Sequence, residues 1–145
     1  SSLNSKIAVV CARFNPEITD RLLSGCLERL QERGVKSESI EVFKVPGAFE
    51  IPLIARAALE SGAAGVVALG AVIRGDTTHY DYVCSSVERG CTELQLRYGR
   101  PVVFGVLTTE NEGQAEERVG GSHGHKGKDA ADVVIEMIEL LKKIN

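Results

Sequence analysis

The stretch Arg74-Gly75-Asp76-Thr77-Thr78-His79-Tyr80-Asp81 concentrates more reactive side chains than any other part of this 145-residue chain. Its imidazole is the best candidate for moving protons. An ordinary histidine, with a pKa of about 6.5, both gives and takes a proton near neutrality. The same position also suits a helix-start histidine that only caps backbone groups. Asp76 and Asp81 could join His79 around a metal, but three ligands in one short loop, with no partner elsewhere, make a poor metal signature. A second place of interest is Arg13-Phe14-Asn15-Pro16. It has no glycine and cannot wrap a pyrophosphate as dinucleotide loops do. The Phe14 ring could instead stack on a planar ligand, or plug the start of the following helix.

The third place is Gly120-Gly121-Ser122-His123-Gly124-His125-Lys126-Gly127-Lys128. Flexible backbone and two lysines before a helix favour an anion. It is not a Walker loop, because Asp129 stands where a hydroxyl is required. His123 and His125 suggest a metal, but no further ligands accompany them. Arg118, just upstream, offers a guanidinium fork suited to phosphate, although a single arginine at a helix end more often faces solvent.

Strands alternating with helices must position these groups. Apolar runs at Ile7–Ala12, Ile40–Val45, Gly65–Ile73 and Pro101–Leu107 have strand length, and the third shows no polar alternation, as in a strand covered on both faces. Helical spacing marks Pro16 to about Arg33, Phe49–Ser61, a helix through Val83, Val87, Cys91, Leu94 and Tyr98, a short Glu110–Val119 helix, and a last one from about Lys128 to Lys143. Such alternation gives parallel pairing and a three-layer α/β/α sandwich. Ligands then bind beyond the carboxyl ends of the strands. The loops to watch are Arg13–Asn15, Pro46–Glu50, Arg74–Tyr80 and Thr108–Asn111. The last helix carries more apolar residues, Val133 to Leu141, than a terminal helix buries on its own sheet, which points to a subunit interface.

Length fits one domain, residues 1–145. With 17 Lys+Arg against 20 Asp+Glu and no basic run, nucleic acid is a poor partner. No apolar stretch reaches the roughly 18 residues of a membrane span. Cys11, Cys26, Cys84 and Cys91 lack CxxC spacing and read as reduced thiols of a cytoplasmic protein, with Cys84 and Cys91 on one buried helix face. Only Ser1 to Lys6 precede the first apolar run, which reads as a chain trimmed of an upstream tail. From the residues alone this is an oligomeric, phosphate-tolerant α/β domain.

From Ile7 to Lys142 the chain resembles the 6,7-dimethyl-8-ribityllumazine synthase family. The resemblance rests on ARFN (12–15), VPGAFEIP (45–52), LGAVIRGDTTHYDYV (69–83), PVVFGVLTTEN (101–111), then QAEERVGG and HKG, all in order. It implies condensation of 5-amino-6-(D-ribitylamino)uracil with 3,4-dihydroxy-2-butanone 4-phosphate, the penultimate step of riboflavin biosynthesis, without cofactor or metal. It implies a flavodoxin-like four-stranded parallel sheet of order 2-1-3-4, whose switch point brings Phe14 beside the Arg74–His79 loop. By the same resemblance Phe14 stacks on the pyrimidine. Ala48, Phe49 and Glu50 line the ribityl and ring pocket, and Ala71, Val72 and Ile73 offer backbone groups. Asp76 and Thr77, opening the helix after the loop, hold the phosphate, and His79 shuttles protons. Phe104 and Arg118 come from the neighbouring subunit, with Lys126 adding charge.

The family usually has Lys-x-Gly-Asn-Lys-Gly where this chain has Ser122-His123-Gly124-His125-Lys126-Gly127, and Glu112-Gly113 is also atypical. Pentamers are implied, and the Arg118–Glu136 spacing, free of the insertion of pentamer-only members, implies a shell of twelve pentamers, with riboflavin synthase as a further partner. The competing reading is a flavodoxin-like module that binds flavin or lumazine without turnover; the Arg13–Asn15 loop lacks the hydroxyl residues of flavodoxin phosphate loops.

Overall fold

A computed structural model describes residues 5–145, so the Ser1–Asn4 segment, on which the expectation of a trimmed tail bears, lies outside the described residues. The order is β1 (Ile7–Ala12), α1 (Pro16–Glu32), β2 (Ile40–Val45), α2 (Ile51–Glu60), β3 (Gly65–Ile73), α3 (His79–Tyr98), β4 (Val102–Thr109), α4 (Glu112–Glu117), β5 (Val119–Gly121), β6 (Gly124–His125) and α5 (Lys126–Ile144). The first four strands pair in parallel in the order β2-β1-β3-β4. β5 and β6 form a separate antiparallel pair.

Every residue of β1 is buried, as are the first seven of β3, because helices cover both faces of the sheet. On one face Ile7, Val9, Cys11, Val67, Leu69 and Leu107 pack with Ile18, Leu22, Cys26 and Leu30 of α1 and with Val134, Ile135 and Ile138 of α5. On the other, Ala8, Val10, Val66, Ala68 and Val106 meet Ile51 and Ala55 of α2 and Val87 and Cys91 of α3. Strand alternation thus sorts the side chains into two half-cores. Two glycines inside helices permit close approach. A β-carbon at Gly90 would come within 2.8 Å of the Pro52 ring, and one at Gly25 would overlap the ring of His125.

Several elements differ from expectation. The ladder continues through Val72↔Thr108 and Ile73↔Thr109, so β4 runs on to Thr109. The helix expected from Phe49 begins as a 3-10 turn over Ala48–Glu50 and becomes α-helical at Ile51, with Pro52 in its first turn, where a missing N–H costs nothing. α4 is shorter than Glu110–Val119, because the Asn111 side chain caps it by accepting from the Gln114 N–H and Val119 already belongs to β5. α5 starts at Lys126 rather than Lys128. Cys11, Cys26 and Cys91 are buried free thiols, whereas Cys84 is only half-buried, so the face shared with Cys91 is not wholly covered. α5 leaves Val133, Leu140 and Ile144 exposed, a smaller apolar surplus than its composition suggested.

Candidate active site

β1 and β3 are neighbours whose chains leave toward opposite sides, and a cleft opens above their carboxyl ends. Phe14 and Asn15 enter it from the turn after β1, Gly47 to Glu50 from the turn after β2, and Ala71, Val72 and Ile73 from the end of β3. Gly75, Thr77, His79, Tyr80 and Tyr82 complete the wall, around a volume of about 660 Å³. Three of the four strand-end loops singled out in sequence therefore meet; Thr108–Asn111 is not among the lining residues.

Local chemistry explains the placement. Asn15 stands before α1 with φ 59°, a left-handed backbone that Asn tolerates better than most residues. Its amide does not cap α1; Nδ2 donates to the Ala71 carbonyl at 3.0 Å. Phe14 is thereby held at the mouth, where its N–H donates to the Pro46 carbonyl at 3.2 Å. Glu50 turns back so that Oε1 accepts the Gly47 N–H at 2.9 Å, which rigidifies the 3-10 turn.

The loop after β3 is tied down by Arg74. Its Nε donates to Glu110 at 2.6 Å, a second nitrogen to Asp81 at 3.2 Å, and its guanidinium lies 4.4 Å from the centre of the Tyr80 ring. Asp81 is thus engaged as an ion-pair partner. His79 is the first residue of α3, exposed at the cleft, and its backbone N–H donates to Thr77 Oγ1 at 3.3 Å. The helix opens at His79, so Asp76 and Thr77 precede it rather than begin it; Thr77 lines the cleft and Asp76 is outside the lining set. Among the described residues no three His, Cys, Asp or Glu side chains gather as a metal-holding group.

Phe104, Arg118 and Lys126 do not line this cleft. Phe104 is half-buried on the edge strand β4, packed on the α2/α3 side. Arg118 follows α4, whose Ala115 packs with the α1/α5 half-core on the other face of the sheet. The Arg118 guanidinium donates to the Gln114 carbonyl at 2.8 Å, and the Arg118 carbonyl accepts the Lys126 N–H at 2.7 Å, so the backbones of these two residues sit side by side. Lys128, also part of the anion reading, pairs with Glu28 at 3.4 Å. His123 pairs with Glu117 at 3.2 Å.

Asn15 and Tyr80 lie in loops that the sequence singled out, though without a role there, and Tyr82 lies outside them. Asn15 was detectable as a cap-type residue before a proline. Tyr82 lies three residues after His79, which places it on the same helical face. The rim is strongly apolar: Phe14, Phe49 and Tyr82 are 69, 60 and 72% exposed. Such rings in water mark a surface that meets another molecule.

Fold and cleft together define a flavodoxin-like α/β protein with a candidate ligand site at the switch point of its sheet. A family model described as 6,7-dimethyl-8-ribityllumazine synthase matches residues 4–142. A Bdellovibrio bacteriovorus protein of that name is 56% identical over 141 residues, covering 96% of this chain and 76% of that relative. A Coxiella burnetii protein of the same name is 50% identical over 140 residues, covering 96% of this chain and 93% of its own. The chain belongs to the 6,7-dimethyl-8-ribityllumazine synthase family.

Proposed function

We infer that the chain is a transferase of riboflavin biosynthesis that condenses 5-amino-6-(D-ribitylamino)uracil with 3,4-dihydroxy-2-butanone 4-phosphate, giving 6,7-dimethyl-8-ribityllumazine, phosphate and water. The observation that carries this reading is the meeting of Phe14 and His79, from different strand ends, in one cleft with Ala48–Glu50. The pyrimidine stacks on Phe14 and takes hydrogen bonds from the backbone around Ala71, Val72 and Ile73. The ribityl chain runs past Phe49 to Glu50, whose second oxygen accepts its hydroxyls. Thr77, with Asp76 beside it, holds the ketone phosphate near the start of α3, where backbone N–H groups favour an anion.

His79 moves protons while the amine adds to the carbonyl, water leaves, phosphate is eliminated and the second nitrogen closes the ring. Holding both reactants together supplies most of the acceleration, through effective concentration. Arg118 and Lys126, with Phe104, come from a neighbouring copy. They pack outside the chain's own cleft, and the exposed aromatic rim gives that copy something to cover. The assembly is a pentamer, twelve of which close into an icosahedral shell in the cytoplasm, with riboflavin synthase as a further partner. Mixing both substrates with the protein and following lumazine fluorescence tests the reaction. A flavodoxin-like binding module would quench or shift an added ligand yet form no product. Light scattering and native mass test the assembly.

A further inference from the structure

The Gly120–Lys128 stretch reads in sequence as a loose cationic connection, but the structure closes it around one ring. His125 immediately precedes α5, and its Nδ1 accepts the Lys128 backbone N–H at 3.3 Å. The ring lies on α1 at Gly25, where any β-carbon would overlap it, and a β-carbon at Gly127 would approach it to 3.1 Å. Across the β5–β6 pair His125 stands opposite Val119. The next residue, Lys126, donates its N–H to the Arg118 carbonyl at 2.7 Å. One imidazole thus joins α1, β5 and α5, adjoining Lys126 in sequence and, across the ladder, Val119, the residue after Arg118.

We propose that His125 is a positioning residue whose uncharged ring holds Arg118 and Lys126 in place for the substrate phosphate, so that protonating it loosens their grip. The inference rests on the reading above, in which those two cations bind the phosphate of the ketone substrate. The physical reason is the direction of the cap. Nδ1 accepts from Lys128 only while it carries no proton; a proton there sets one donor against another.

The charged groups facing the ring are Arg21 from α1, which donates to the Val119 carbonyl at 2.8 Å, and Lys128 and Asp129 from α5. Burial and then Lys128 and Arg21 hold His125 below the ordinary histidine value, and a backbone hydrogen bond and, more weakly, Asp129 oppose them only in part. The folded chain therefore binds this proton less readily than the unfolded one. The cap's contribution is complete above about pH 6.5, where both states are neutral, and declines as pH falls below it.

The test is the KM for the ketone phosphate, measured from pH 7.5 to pH 5 in the wild type and in His125→Asn. The asparagine oxygen caps a helix without a proton to gain. Other groups that change charge over this range, the substrate phosphate among them, act on both proteins alike, and taking the ratio of the two KM values cancels them. The expected result is a wild-type to variant KM ratio that rises about three- to tenfold toward pH 5, the factor that one lost helix cap represents, with the kcat ratio unchanged. The wild-type melting temperature should fall relative to the variant over the same range. A flat KM ratio, or equal melting losses, overturns the proposal. Arg118→Ala and Lys126→Ala at pH 7.5 separate the two readings. If neither raises KM, the phosphate assignment itself fails; if both do while the ratio stays flat, only the role of His125 fails.

Discussion

The Asn15 side-chain amide donates to the Ala71 carbonyl at 3.0 Å and so ties the turn after β1 to the end of β3. This bond spans the switch point of the sheet, and both residues line the cleft. Asn15→Ala removes the bond and places a less tolerant residue at φ 59°. The expected loss is about 2 kcal/mol in urea unfolding, with a higher KM for the pyrimidine. Asn15→Gly keeps the backbone at ease and should lose only about 1 kcal/mol, while raising the same KM.

His79 and Arg118 should separate in steady-state kinetics. With positioning as the main source of rate, His79→Ala lowers kcat by about tenfold and leaves turnover measurable. Arg118→Ala acts on kcat/KM for the phosphate substrate by about a hundredfold, since a charge-assisted fork is lost. A His79→Ala protein that binds both substrates and makes no product would contradict the emphasis on positioning.

Arg74 braces the loop that carries His79 on two sides at once, through Glu110 just after β4 and Asp81 in the first turn of α3. Only a planar guanidinium makes both contacts while lying over Tyr80. Arg74→Lys is expected to lower kcat/KM by about two- to fivefold, and Glu110→Gln by a similar factor, with the double variant no worse than the more severe single one. Independent, multiplying effects in that cycle would show that the two residues do not act as a unit.

The buried thiols give a pH signature. Burial pushes Cys11 up to about 11, Cys26 up to about 12 and Cys91 up to about 11, from an ordinary 9.0. The folded state therefore favours the neutral thiols. Stability should be unaffected by them below about pH 9 and should fall as pH rises past it, when the unfolded chain ionises first. Iodoacetamide at pH 8 should label half-buried Cys84 first, and the other three only after unfolding.

Much of this architecture was legible in sequence, for a physical reason. β1, β2 and β3 span Ile7–Ala12, Ile40–Val45 and Gly65–Ile73 as read, because short apolar runs between turn residues have few other uses. The less regular boundaries were not legible. α5 starts at Lys126 because a histidine ring caps it, and histidine is not a usual cap. The Gly-rich break is a β5–β6 pair, a register that glycines leave unmarked. Phe14, Asn15, Thr77 and His79 lie in strand-end loops that the sequence singled out and line the cleft, while Tyr82 emerges only once the cleft closes around it. Nothing in residue type alone pointed Arg118 and Lys126 toward a second copy. Their absence from the lining of the chain's own cleft, beside Ala115 and Val119 of the opposite half-core, supports that reading.

Subunit complementation is the most direct measurement of whether two copies build one site. Phe14→Ala and Arg118→Ala proteins, each nearly inactive, are dissociated, mixed in equal amounts and reassembled, with mixed oligomers verified by native mass. If each site takes its aromatic cleft from one copy and its cations from the next, about a quarter of the sites are whole, and about a quarter of the wild-type rate returns. Mixed oligomers that remain as inactive as either parent would contradict the shared site.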